Sequence, residues 1–249
     1  APWVTHATQL KVPAPLVVEL PKKVNHEEGA FIGHGATALH LFRSAEVALG
    51  ETLLVFGAGM LGNLVAQIAR AAGVNAILVD DSEHRLARAR NVGITNALAP
   101  NREALVAEVA RTSDNEGADA ALITPDAPTG AVDWAALMLR WKGRLIVAGV
   151  PAESLTTGRV LEKETEVRLV QSAGPGMGEP AYDRTGIRPP RAHVRWMVGD
   201  NMRVFLNLLA DRKVQISPLI GERTPFERAS YLYERLASNP SVVVGAVLT

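Results

Sequence analysis

The stretch Leu53-Leu54-Val55-Phe56-Gly57-Ala58-Gly59-Met60-Leu61-Gly62 constrains this chain more than any other. Four large apolar residues in a row suit a strand covered on both faces. The continuation, Asn63-Leu64-Val65-Ala66-Gln67-Ile68-Ala69-Arg70-Ala71-Ala72-Gly73, repeats apolar side chains at helical spacing. Between them lies G-x-G-x-x-G, in which each glycine has its own task. Gly57 permits the tight turn off the strand, Gly59 lets backbone approach a pyrophosphate, and Gly62 lets the helix pack closely on the sheet. The helix N-terminus then presents unpaired N–H groups and partial positive charge. Gly57, Ala58, Gly59, Met60, Leu61 and Gly62 are therefore the expected phosphate cradle.

Such a motif gains meaning from the residues downstream of it. The next aliphatic run, Ala76-Ile77-Leu78-Val79, ends at Asp80, roughly 20 positions after the first glycine, where a carboxylate hydrogen-bonds the adenosine ribose of NAD and repels the 2′-phosphate of NADP. Asp81 adds a second negative charge. The competing reading makes Asp80 a helix N-cap, a role that Asp81 or Ser82 serves equally well. The whole strand–loop–helix–strand–acid order predicts dinucleotide binding, with NAD preferred over NADP. Arg85 and Arg88 keep NADP open as an alternative.

The length of 249 residues, 47% of them hydrophobic, suffices for a large core in one or two domains. Lys and Arg total 26, as do Asp and Glu, so no net charge points to nucleic acid or an anionic membrane as partner. No apolar stretch approaches the roughly 18 residues that would span a bilayer, and no signal peptide opens the chain, so the cytoplasm is the expected location. With no cysteine, disulfides, thiolate nucleophiles and Cys-built zinc sites are excluded. The opening Ala1-Pro2-Trp3 reads as the middle of a longer protein.

Taken in order, residues 8–12 and 16–20 are extended candidates punctuated by Pro13, Pro15 and Pro21, which suit edge strands and turns. Asn25 or His26 precedes Glu27-Glu28 at a helix start, and residues 30–42 form an apolar helical stretch. Beyond Thr52, strands at 53–56, 76–80, 95–97, 118–124, 143–149 and 167–171 alternate with helices at 60–72, 83–91, 102–112 and 132–139. That alternation predicts an α/β fold with a parallel sheet covered on both faces. Residues 174–193 are rich in Gly and Pro and read as a long functional loop. Helices at 201–210 and 225–237 and a strand at 242–248 close the chain.

The ordered set of Val12-Pro13, Leu20-Pro21, Gly50-Glu51-Thr52 before V-x-G-x-G-x-x-G, Val79-Asp80, Gly117-Ala118-Asp119, Gly143-Arg144, and Ser217-Pro218-Leu219-Ile220 before Pro225-Phe226-Glu227-Arg228-Ala229 resembles the medium-chain dehydrogenase/reductase superfamily. This is the group of zinc-type alcohol, polyol and threonine dehydrogenases. The resemblance implies a Rossmann doubly wound parallel sheet with partial GroES-like catalytic segments at both ends. Residues 1–30 would be the catalytic remnant, 31–155 the nucleotide-binding domain, and 156–249 the returning catalytic segment, with most of the barrel missing. The segments 174–183, 194–196 and 201–202 look most like a branch associated with sugar-type oxidoreductases.

The resemblance further implies NAD-dependent hydride transfer on an alcohol or carbonyl of a small polyol, sugar or related metabolite, and a homodimer joined through a sheet edge. Two zinc ligands of the family fall in the missing barrel. Aligning Thr37 with the family threonine at the nicotinamide puts the third ligand at Gly33, which has no side chain. His34, one position on, is the candidate ligand or catalytic group, against a helix-start histidine bonded to backbone; zinc is not expected in this chain. His40 lies six positions further along the helix, and His6 and His26 read as surface residues. The basic residue that some members carry in the closing strand falls on Gly245, which shifts the phosphate burden to the glycine loop and Arg195. Arg85 covers the adenosine ribose in this reading, while Thr124, Pro125, Gly149 and Val150 line the nicotinamide side at the carboxyl edge. Tyr182 and Asp183 are candidates to face substrate from the long loop. Two other functions compete: a non-catalytic nucleotide-binding protein that has lost its barrel, and an NADPH-dependent enoyl or quinone reductase.

Overall fold

The uninterrupted Thr-Leu-Leu-Val-Phe run of β1 (Thr52–Phe56) is buried at every position, because helices cover the sheet on both sides. Its side chains divide by parity. Leu53 and Val55 join one apolar cluster, Leu54 and Phe56 the other. The computed structural model describes residues 6–7, 9–149, 158–239 and 243–249.

In chain order, α1 (His26–Gly29) and α2 (Ile32–Ala45) precede β1. Then come α3 (Met60–Ala71), β2 (Asn75–Val79), α4 (Glu83–Asn91), β3 (Ala97–Leu98), α5 (Arg102–Thr112), β4 (Ala118–Ile123), α6 (Ala131–Met138) and β5 (Leu139–Ala148). The chain continues with α7 (Gly158–Glu162), β6 (Glu166–Val170), α8 (Pro180–Thr185), α9 (Val198–Ala210), β7 (Ile220–Thr224), α10 (Ala229–Ser238) and β8 (Gly245–Leu248). Six parallel strands pair in the order β3-β2-β1-β4-β5-β6, and β7 pairs with β8 in a small separate sheet. This is the doubly wound order with its switch point between β1 and β4. α2, α3, α4 and α9 cover the face of the first cluster, and α5 and α6 give most of the helical side chains of the second. No described helix is long and apolar enough to cross a membrane.

Several local expectations differ. Residues 9–20 contain a 3-10 turn at Ala14–Leu16 and no strand, since Pro13 and Pro15 lack the N–H groups a ladder needs. The expected loop at 174–193 contains α8, with Pro180 in its first turn and Gly186 left-handed at its end. The helix expected at 225–237 opens as a separate 3-10 turn, Phe226–Arg228. β5 begins four residues earlier than expected, with a register shift where Lys142 takes a positive φ. β6 belongs to the same sheet as β1, so the sheet runs past the boundary expected at 155.

The C-terminal part is seated on this body by specific contacts. Gln67, fully buried on α3, donates to the Gln215 carbonyl at 3.1 Å and accepts from the Gln215 amide at 2.8 Å. α9 lies against the small residues of α2. A methyl group on Gly35 would come within 2.2 Å of the Phe205 ring, which is fully buried. Gly35→Ala is therefore expected to lower the unfolding free energy by about 1–3 kcal/mol, the scale of overpacking a tight contact. A urea titration matching the parent protein would mean that α9 is not held against α2.

Candidate functional site: the glycine loop and two joined clefts

The loop after β1 is shaped by two near-contacts that only glycine tolerates. Gly57 takes φ +99° and donates to the Val79 carbonyl at 2.7 Å. A Cβ on Gly57 would meet Thr124 Oγ1 at 2.1 Å, and one on Gly62 would meet the Gly57 carbonyl oxygen at 1.8 Å. The first turn of α3 thus rests directly on the turn that follows β1. Asn63, fully buried, donates from Nδ2 to the carbonyls of Ala58 at 2.6 Å and Gly59 at 3.0 Å. It ties down the loop carbonyls, and the first amides of α3 have no partner within the helix.

Asp80, at the tip of β2, is fully buried beneath this loop. Its Oδ2 accepts from the Ala58 amide at 2.6 Å, Oδ1 accepts from the Ser82 amide at 2.8 Å, and Arg85 Nη1 lies 3.4 Å from Oδ2. Desolvation raises its carboxyl above the usual aspartate range, while the two amides and Arg85 pull the other way. Ser82, through its hydroxyl, caps α4. Asp80→Ala would strand buried N–H groups, so a loss of about 1–3 kcal/mol in denaturant unfolding is expected. An unchanged midpoint would mean that the acid does not hold the loop.

Two clefts open at the carboxyl edge of the sheet. One, about 370 Å³, is lined by Gly59, Met60, Leu61, Arg85, Pro125 and Asp126. The other, about 490 Å³, has Thr37, Met177, Val198 and Met202 in its wall. His34 and Leu61 line both. His34 is exposed to the clefts and tilted against Phe31, with ring centres 5.9 Å apart. Desolvation by the surrounding walls holds its imidazole below the ordinary histidine value. Thr37 donates to the Gly33 carbonyl at 3.0 Å, and Thr124, buried, donates to the Phe56 carbonyl at 2.9 Å. Gly149 ends β5 with φ +80° and donates to the Val170 carbonyl. Val150 lies outside the described residues.

Other candidates sit elsewhere. Arg195 stacks on Trp196 at 4.0 Å, with Arg43 on the same ring at 3.7 Å, and lines neither cleft. Tyr182 is buried with Ala36, Ala173, Met197 and Val198, its hydroxyl donating to the Pro15 carbonyl at 3.4 Å. Asp183 accepts from the Gly178 amide at 3.1 Å. His6 bonds the Tyr233 hydroxyl, and burial with the nearby Arg43 charge lowers the His40 imidazole. Gly245 packs against Met60 and Phe31 beside the glycine loop. Among the described residues, no three His, Asp or Glu gather as a metal site. The sequence reading missed Asn63 and Asp126; a polar residue directly after the third glycine was the available signal for the first.

A protein-family model described as zinc-binding dehydrogenase matches residues 61–182. Sorbitol dehydrogenase 1 of Saccharomyces cerevisiae is 26% identical over 244 residues, which cover 95% of this chain and 62% of that protein. Over these stretches the chain is similar to zinc-type medium-chain dehydrogenases. Among solved structures of similar fold, alcohol dehydrogenase TADH from Thermus sp. ATN1 has TM-score 0.69 at 22% identity, covering 92% of this chain and 60% of that one. The short chain alcohol dehydrogenase of Escherichia coli CFT073, solved complexed with NADH, has TM-score 0.70 at 16% identity, covering 93% and 62%. The chain thus spans less than two thirds of the length of each of these proteins. The segment matched by the family model contains most of α3 and the whole of β2 with Asp80.

Proposed function

We propose that this chain carries the dinucleotide site of an NAD-dependent medium-chain dehydrogenase acting in the cytoplasm. Its substrate in this reading is an alcohol or carbonyl of a small polyol, sugar or related metabolite, the class that the sorbitol dehydrogenase relative suggests. The supporting observation is the 2.6 Å bond from the Ala58 amide to Asp80, which makes the glycine loop and the ribose-binding acid one unit beside the first cleft. The residues fit a dinucleotide. A side chain at Gly59 would project where its pyrophosphate belongs, and Asp80 keeps acceptor capacity beyond the bonds it already makes.

The amides at the start of α3 bind the pyrophosphate, and Asp80 accepts a ribose hydroxyl once Arg85 lifts from it. NAD, when bound, supplies the hydride acceptor at its nicotinamide. Thr37, Thr124 and Gly149 line the nicotinamide end, and the apolar wall of Met177, Val198 and Met202 excludes water. His34, held neutral, takes the proton of a substrate hydroxyl. Zinc fits this chain less well: a catalytic site needs three protein ligands, and the described lining of the second cleft offers one imidazole and no carboxylate. Residues 1–30 and the segment beyond β6 are the proposed contributions to the GroES-like domain.

Arg85 favours a second reading, NADPH, because its guanidinium is a charged group presented to the ribose end of the cleft. Titration of the purified chain with both reduced dinucleotides, read by nicotinamide fluorescence, separates them. NADH is expected to bind at least about tenfold more tightly than NADPH, on the scale of one like-charge contact with Asp80. A reversed preference would overturn the NAD assignment, and no binding of either would overturn the site.

We also infer a homodimer through β6, the edge strand of the sheet, where Leu169 is 63% exposed and Val167 37%. Leu169→Lys is expected to shift sedimentation from dimer to monomer. A parent protein that sediments as a monomer at micromolar concentration would end this reading.

A further inference from the structure

The turn that carries Asp126 is pinned to the glycine loop. Thr124 donates to the Phe56 carbonyl through its amide at 3.0 Å and its hydroxyl at 2.9 Å. The Ala127 amide closes the turn on the Thr124 carbonyl at 3.0 Å, with Pro125 and Asp126 as its central residues. Proline at that place presets the turn. The backbone of Asp126 and Ala127 comes so close to Gly57 that a Cβ there would meet the Asp126 carbonyl carbon and the Ala127 nitrogen, both at 3.0 Å. The backbone of Asp126 is therefore fixed, and its side chain is the part free to rotate.

That side chain points at the cradle. Asp126 Oδ2 lies 2.1 Å from where a Cβ on Gly59 would stand, the space that glycine keeps open for a pyrophosphate. Asp126 is exposed, lines the first cleft, and its carboxylate makes no hydrogen bond among the described residues. An acid with no local partner, facing a site for an anion, neither builds the fold nor neutralises a neighbour.

We propose that Asp126 is a built-in competitor for the pyrophosphate, whose carboxylate weakens dinucleotide binding and speeds release. The proposal rests on the dinucleotide reading of the cleft. Binding requires the carboxylate to rotate towards solvent while the turn stays in place, and two like charges then remain close. Return of the carboxylate favours departure of the ligand, a step that limits turnover in many enzymes.

Isothermal titration of the purified chain with ADP-ribose and with adenosine, which lacks the pyrophosphate, tests this. Asp126→Asn keeps the volume and removes the charge; Asp126→Ala removes both. Each is expected to bind ADP-ribose about five- to tenfold more tightly than the parent protein, with adenosine unchanged, as one like-charge contact near water would give. Thermal unfolding is expected to be unaltered, since the side chain holds nothing in place. Measurable but equal ADP-ribose affinities, or equal tightening towards adenosine, would overturn the role of Asp126 and leave the dinucleotide site standing. Absence of ADP-ribose binding in all three proteins would overturn both.

Discussion

The close approach of α3 to the turn after β1 is the contact from which the site is built. The Gly62 α-carbon faces the Gly57 carbonyl so closely that no Cβ fits between them. This brings the helix N-terminus to the carboxyl edge of the sheet, where its first amides have no partner within the helix. The same turn brings the Ala58 amide to Asp80 and sets Gly57 against Thr124. Three parallel strands, β2, β1 and β4, are thus joined at their tips as well as along their ladders.

The second side of the sheet shows why residues beyond the sheet cannot be treated as an appendage. α2 and α9 pack together over the face made by Leu53, Val55, Leu122 and Ile146. Gly35 on α2 is small enough to admit Phe205. With α9 in place, Val198 and Met202 reach the second cleft while Phe205, Leu206 and Leu209 fill the core. One helix therefore both stabilises the body and forms part of the cavity wall. A change that loosens its packing also changes the shape of that cleft.

The fold was legible wherever burial on two faces forced a pattern. β1, β2, β4 and the helices between them follow from aliphatic runs and 3.6-residue spacing, and α4 and α5 match the expected spans 83–91 and 102–112. The pattern gave little where few side chains are buried. β7, with Gly221, Glu222 and Arg223 at its centre, has no aliphatic run to mark it, and α8 was hidden among breakers although Pro180 and Gly186 mark its ends. The site was legible in its backbone part, because glycine spacing is itself the geometry. Where Arg195 and Tyr182 would lie was not legible. Arg195 stacks on the neighbouring Trp196, whose ring Arg43 of α2 also contacts, and Tyr182 bonds the Pro15 carbonyl, from segments with no regular spacing to the loop.

Electrostatics in the first cleft is a balance and not a single attraction. The helix N-terminus and Arg85 favour an anion, whereas Asp80 beneath the loop and Asp126 above it oppose one. Asp80 is the less repulsive of the two: it is buried, bonded to two amides and paired with Arg85, so much of its charge is spent inside the protein. Asp126 is exposed and has no such partners among the described residues. In the proposed dinucleotide complex, the field at the phosphates is therefore governed by the acid that contributes least to folding. In that proposal affinity varies without cost to the loop, since the residue that holds the turn is Thr124 and the residue that would meet the ligand is its neighbour two positions on.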